Sequence, residues 1–143
     1  MLHRLIVPLM LVPALVTAQG TAQGTAPPPK PEIFVRSPAN GATVGTTFPV
    51  VFGLRNYGVA PAGVTFARAG HFHVLIDTDA GAAGTVIPND STHRHFGLGQ
   101  IETTLTLAPG THTLRLVLGD AEHKVIGPDL VSAPVTVTVK KSP

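Results

Sequence analysis

The chain has 143 residues, enough for one folded domain and too few for a large multi-domain enzyme. Gly 15 and Pro 14 supply about a fifth of it, charged residues only 13% and apolar residues 43%, a balance that favours turns and short strands over long charged helices. Ten Lys and Arg against eight Asp and Glu leave a net charge of +2, and apart from Lys140-Lys141 the basic residues are scattered, which excludes a basic nucleic-acid-binding stripe.

Residues 1–18 read as a secretory signal. His3 and Arg4 make a short polar start, residues 5–16 an apolar stretch, and Val16-Thr17-Ala18 a small-residue exit. The apolar stretch carries Pro8 and Pro13 and falls short of the roughly 20 residues that cross a bilayer. The expectation is therefore a periplasmic or secreted protein with no membrane span once the signal is removed. There is no Cys, and both methionines, Met1 and Met10, lie inside the signal. Any metal the mature chain holds must be bound by nitrogen and oxygen. Residues 19–31 follow as a linker: a Thr-Ala-Gln-Gly repeat runs into Pro27-Pro28-Pro29-Lys30-Pro31, which cannot bury apolar area and favours an extended polyproline spacer.

From residue 32 to 140 the pattern changes to short β-rich runs divided by Gly, Pro and Asn. Strands are expected at 33–35, 48–54, 71–77, 100–107, 111–118 and 134–139, with a turn at Ser37-Pro38-Ala39-Asn40-Gly41 and no sustained helical period. Such spacing predicts an all-β fold, an antiparallel β-sandwich of immunoglobulin-like type. Ile101, Thr103, Leu105 and Leu107 alternate with polar residues, as do His112, Leu114, Leu116 and Leu118. A hairpin centred on Pro109-Gly110 would pair Leu107 with His112 and Leu105 with Leu114, leaving His112 inward at the rim of the core.

Six of the seven histidines lie between residues 71 and 123, four of them as the pairs His71/His73 and His93/His95. Residues i and i+2 of a strand share a face about 6.6 Å apart, so each pair is a natural bidentate clip for an ion held by bonds near 2 Å. His112 and the turn residue His123 complete the candidate ligands. Imidazole sets suit Zn²⁺, Cu²⁺ or Ni²⁺, and a blue-copper centre is excluded for want of a Cys. The plainer alternatives are that His71 and His73 occupy the wet face of a half-buried strand, and that His112 is a core-edge residue bonded to a backbone carbonyl. Asp77-Thr78-Asp79-Ala80-Gly81 begins like a calcium loop but lacks the downstream bidentate Glu. Ser91 is not in a nucleophile elbow, and Gly97-Leu98-Gly99 is followed by a strand pattern rather than the helix a phosphate cradle needs.

Several stretches match a known pattern: Ser37-Pro38-Ala39-Asn40-Gly41-Ala42-Thr43-Val44, Pro61-Ala62-Gly63, Gly70-His71-Phe72-His73-Val74-Leu75-Ile76-Asp77, His93-Arg94-His95-Phe96-Gly97-Leu98-Gly99-Gln100, Pro109-Gly110-Thr111-His112-Thr113-Leu114 and Gly119-Asp120. Together they resemble an uncharacterised family of exported bacterial proteins known only as a domain of unknown function. Where that family often has three consecutive histidines, Phe72 replaces the middle one. On a strand that position faces away from His71 and His73, so the clip survives. The resemblance implies a secreted β-sandwich and no established activity. The Gly-His-Phe-His stretch is also similar to the copper-ligand strand of copper-zinc superoxide dismutases, over one short motif only, and the disulfide of those enzymes has no counterpart in a Cys-free chain.

The resulting expectation is an exported, single-domain binding protein in which His71, His73, His93, His95 and His112 surround one divalent ion, Zn or Cu(II), with His123 as a further candidate. Coordination needs neutral imidazoles, so affinity should fall as pH drops through roughly 6.5. Beyond the ion, an envelope protein is the expected partner. The alternative is a non-enzymatic sandwich module for protein or cell-envelope contact with structural histidines. Redox or hydrolytic chemistry would need an open coordination position and an acid or base, for which Asp77, Asp79 and Glu102 are the candidates. All of this assumes that the imidazole-bearing strands bring their rings together at one end of the core.

Overall fold

The structure is a computed structural model that describes residues 26–141. The expected signal, and residues 19–25 of the expected linker, lie outside the described residues. Residues 26–30 are exposed and irregular, with the Lys30 ammonium 2.9 Å from Asp129 and the Lys30 carbonyl accepting from Asn56 Nδ2.

Nine strands follow: β1 (Glu32–Ser37), β2 (Ala42–Gly45), β3 (Thr47–Arg55), β4 (Gly58–Val59), β5 (Ala69–Ile76), β6 (His93–Phe96), β7 (Glu102–Thr106), β8 (Gly110–Gly119) and β9 (Val135–Lys140). One three-residue 3₁₀ turn, Pro128–Leu130, precedes β9. Strands β1-β3-β7 form one sheet, and β2-β9-β8-β5-β4 the other, with β6 also paired to β5. Pairing is antiparallel except for β2 with β9 and β4 with β5. The fold is thus the all-β, immunoglobulin-like sandwich that the run spacing predicts. Among the described residues no helix is long and apolar enough to cross a membrane.

Alternation along the strands builds the interior. Phe48, Val50 and Phe52 of β3 and Leu105 of β7 face Phe72, Val74 and Ile76 of β5, Leu114, Leu116 and Leu118 of β8, and Val137 and Val139 of β9. The Phe52 ring lies 5.0 Å from Phe72 and 5.1 Å from Phe96 between centroids, so β6 is anchored to the core by its last residue. Strand β5 is buried on both faces. Its other face, with His71, His73 and Leu75, is covered by chain between β5 and β6 and between β8 and β9, where Leu75, Ile87, Val117 and Val125 form a second apolar cluster.

The hairpin expected at Pro109-Gly110 is not formed. Strand β7 pairs with β3, placing Leu105 opposite Phe48, while β8 pairs with β5 and β9 in the other sheet. The turn is an arch between sheets, with Gly110 at φ 148. Leucines from both strands still point inward, now across the interior from opposite layers, and Ile101 is left exposed before the start of β7. Strands β2, β4 and β6 are not among the six expected runs; at four, two and four residues they are too short to show a period.

Candidate metal centre

The site lies on the outer face of the six-stranded sheet, not at an end of the core. In the β5–β6 register His73 stands directly opposite His95; in the β5–β8 register His71 stands opposite Gly119 and His73 opposite Val117. His123 is brought over the same face by the turn that follows β8. There Asp120 Oδ1 accepts from the backbone N–H of Glu122 and Lys124, both at 2.9 Å, and the His123 N–H donates to the Asp120 carbonyl at 3.0 Å. His123 itself is left-handed, at φ 62, a conformation that His tolerates better than most residues. The four rings form one cluster: all six centroid separations lie between 4.7 and 6.0 Å.

Two glycines make room for it. A Cβ on Gly119 would sit 2.9 Å from His73 Nε2, and a Cβ on Gly97 would overlap the His95 ring. Neither glycine was singled out in the sequence for this purpose, because nothing local marks a glycine whose neighbour is a ring from another strand.

The Nε2 atoms face one another. His71 and His73 are 3.0 Å apart at Nε2, and His95 and His123 are 3.2 Å apart. Ligand atoms of His71, His95 and His123 all lie within 4.8 Å of each other. Around an ion with Zn–N bonds of about 2.0 Å, the edges of a ligand tetrahedron are about 3.3 Å, so the two short pairs already have the right spacing; His73 falls outside the group of three and would have to move in to become a fourth ligand.

Burial makes these rings reluctant to take protons. His71 and His73 are both 0% exposed. Desolvation first, then the neighbouring His123 and His95, lowers His71 to about 4, with Asp120 pulling weakly the other way. Desolvation, then His71, His95 and the other rings, lowers His73 to about 3, and desolvation together with His123 also lowers His95. Neutral rings are the ligand form of imidazole. The Nδ1 atoms of His71 and His73 are buried without a hydrogen-bond partner, an arrangement that folded proteins rarely leave unexplained.

Of the six histidines considered, the structure therefore brings together His71, His73, His95 and His123 and leaves out two. His93 shares the outer face of β6 with His95, but it stands opposite Leu75 and its Nδ1 faces Asp90 Oδ1 at 3.0 Å. His112 points to the core side of β8, about 23 Å along the strand from Gly119 at 3.3 Å per residue. It is the core-edge residue of the plainer alternative, with Nε2 3.0 Å from the Ala108 carbonyl and Nδ1 2.6 Å from Asp77 Oδ2. A five-histidine site with His93 and His112 is geometrically excluded. The wet-face alternative for His71 and His73 also fails, since both are enclosed.

The carboxylates considered as acid or base lie elsewhere. Asp77 accepts from His112 and from the Thr113 N–H, Asp79 from Arg115, and Glu102 is exposed on β7. Burial works against ionisation of Asp77, yet the His112 and Thr113 hydrogen bonds outweigh it and hold its carboxyl below the usual range.

Fold and site together define an all-β sandwich module with a buried cluster of four imidazoles. Residues 50–140 match the family described as Domain of unknown function (DUF4399), and the chain belongs to that family. The matched stretch contains all four clustered histidines together with His93 and His112. No curated protein matches the chain. Among solved structures it is similar to fibronectin(III)-like modules of Clostridium thermocellum CbhA, at 14% identity and a TM-score of 0.38 over 79% of this chain; it spans 47% of that chain's length.

Proposed function

We propose that this chain is an exported, non-enzymatic binding module that holds one divalent transition-metal ion between His71, His73, His95 and His123, to store, buffer or hand it over. The observation that carries the reading is the clustering of four imidazole rings, three of which, His71, His95 and His123, have ligand atoms within 4.8 Å of one another, in a pocket that disfavours protons. Export rests on the character of residues 1–18. Three imidazole donors within ligand distance, with His73 beside them as a fourth, suit Zn²⁺ better than Cu²⁺, which prefers a tetragonal arrangement. Because His71 and His73 stay neutral to about pH 4 and 3, protons would displace the ion only well below pH 6.5, lower than the sequence suggested.

The second reading is a contact module, for a protein or the cell envelope, in which the imidazoles are structural. It is favoured by the two short Nε2 pairs, each of which one proton turns into a hydrogen bond. The two unpartnered Nδ1 atoms weigh on neither side, because an ion held at Nε2 leaves them without a partner as well. Elemental analysis of untagged protein separates the two. One equivalent of metal, with a Co²⁺-substituted form showing the intense visible bands of a tetrahedral centre, supports the ion site; no stoichiometric metal, and no thermal stabilisation by Zn²⁺ or Cu²⁺, removes it.

A further inference from the structure

The loop after β5 carries an acidic motif, Asp77-Thr78-Asp79-Ala80-Gly81, that the imidazole cluster does not use. Asp77 is tied to His112 and to the Thr113 N–H, whereas Asp79 turns to Arg115 of β8. Arg115 stands opposite Leu75 in the β5–β8 register, on the outer face of the six-stranded sheet. Asp79 and Arg115 both line a cleft of about 620 Å³, within the roughly 300–1,000 Å³ of small-molecule sites. Every other side chain that lines it is apolar: Ala80, Ala82, Ala83, Val125, Pro128 and Val131.

The two members of the ion pair are held unequally. Arg115 is fixed: its side chain is only 23% exposed, and Nη1 donates to the Ser132 carbonyl at 3.1 Å. Ser132 is in turn bound to β8, its Oγ accepting from the Leu116 N–H at 2.9 Å and its own N–H donating to the Leu116 carbonyl at 2.8 Å. Asp79 is 89% exposed and reaches the guanidinium through one oxygen, Oδ1 to Nη2 at 3.0 Å. A guanidinium carries five N–H donors in a fork that matches both oxygens of a carboxylate, and these contacts engage two of them. An exposed, singly bonded counter-ion adds little, so a second carboxylate can compete with it.

We propose that this cleft binds a small organic acid with an apolar body. Its carboxylate displaces Asp79 and pairs with Arg115 through two parallel hydrogen bonds, while the body lies against Val125, Pro128 and Val131. The ligand must be a monoanion because Arg115 is the one cation lining the cleft, and apolar elsewhere because no other side chain there could pair a second polar group. A smaller cleft of about 300 Å³ borders the same ion pair, but the Asp77 carboxylate in its wall repels an anion.

The probes are benzoate and benzyl alcohol, which share the ring and differ in the carboxylate, titrated at pH 7 into the untagged protein. Binding is read by calorimetry and by the methyl NMR signals of Ala82, Val125 and Val131. Benzoate is expected to shift those methyls and to bind at least about tenfold more tightly than benzyl alcohol, the value of a charge-assisted hydrogen bond. Arg115→Gln should erase the preference. Asp79→Asn removes the competing carboxylate at an exposed position, so it should tighten benzoate binding by up to about fivefold and leave benzyl alcohol unchanged. Glu102→Gln makes the same charge change on the other sheet and should do neither. Absence of methyl shifts, equal affinity for the two probes, or benzoate binding that Asp79→Asn fails to tighten overturns the proposal, as does equal tightening by Glu102→Gln. If Arg115→Gln folds poorly, the two probes and Asp79→Asn still decide. The cleft shares no residue with the imidazole cluster, so this result is read independently of zinc uptake.

Discussion

Two histidine-bearing regions on the same sheet hold their protons in opposite ways. In the cage, four imidazoles crowd together with no carboxylate among them, and burial drives His71 to about 4 and His73 to about 3. Toward the other end of β8, His112 lies between the Asp77 carboxylate and the Ala108 carbonyl. Both of its ring nitrogens face acceptors, so both must carry hydrogen, and the Asp77 hydrogen bond raises its pKa despite some burial. The side chain is the same; the partners decide. An imidazole facing acceptors becomes a cation that fastens the inter-sheet arch to the end of β5, whereas imidazoles facing one another are kept as neutral donors.

The contrast is testable first through acid. For the cage the folded values lie below the unfolded value of about 6.5, so its contribution to stability is complete above pH 6.5 and is lost as pH falls through about 4 and 3. Metal-free protein should lose several kcal/mol over that window in urea titrations, and His71→Phe/His73→Phe should flatten the slope. An unchanged slope in that variant would show that the rings do not resist protons as argued.

Zinc addition should sharpen the comparison. At about 100 times Kd, a ligand that binds only the folded state stabilises it by about 2.7 kcal/mol, or roughly 10–20 °C in Tm for a domain of this size. That shift is expected in the native chain and in His112→Gln, and should vanish in His71→Ala/His73→Ala. Loss of the shift in His112→Gln would instead tie the two regions together.

A smaller effect is expected from Gly97→Ala, whose new methyl would overlap the His95 ring: zinc affinity should fall about tenfold or more. Gly127→Ala is the control, since its Cβ would meet nothing within 4 Å and the backbone there is extended. The smallest change is expected at His112. His112→Gln should cost about 1 kcal/mol near neutral pH. Its raised folded value means that its stabilisation is full below pH 6.5 and fades as pH rises through that value, opposite in sign to the cage. Thermal melts of the two proteins between pH 6 and 9 should therefore converge at the alkaline end.

What could be read in advance, and what could not, follows from which interactions are local. The His-x-His spacing places both members of a pair on one face, and this holds for His71/His73 on β5 and for His93/His95 on β6. It does not say which member meets the other strand's pair. That depends on the β5–β6 register, which sets His95 against His73 and His93 against Leu75. In the same way, alternation of leucines in β7 and β8 marks their inward faces but cannot distinguish a hairpin from an arch, because both bury the same side chains.

The class of fold, the inward leucines of β7 and β8 and the restriction to nitrogen and oxygen ligands were determined by the sequence itself, through strand-length alternation, turn residues and the absence of Cys. Only the tertiary structure decided that four imidazoles from β5, β6 and the turn after β8 converge while His93 and His112 bind carboxylates. Contacts between segments far apart in the chain depend on register and on the space left by glycines such as Gly97 and Gly119, and no local pattern carries that information.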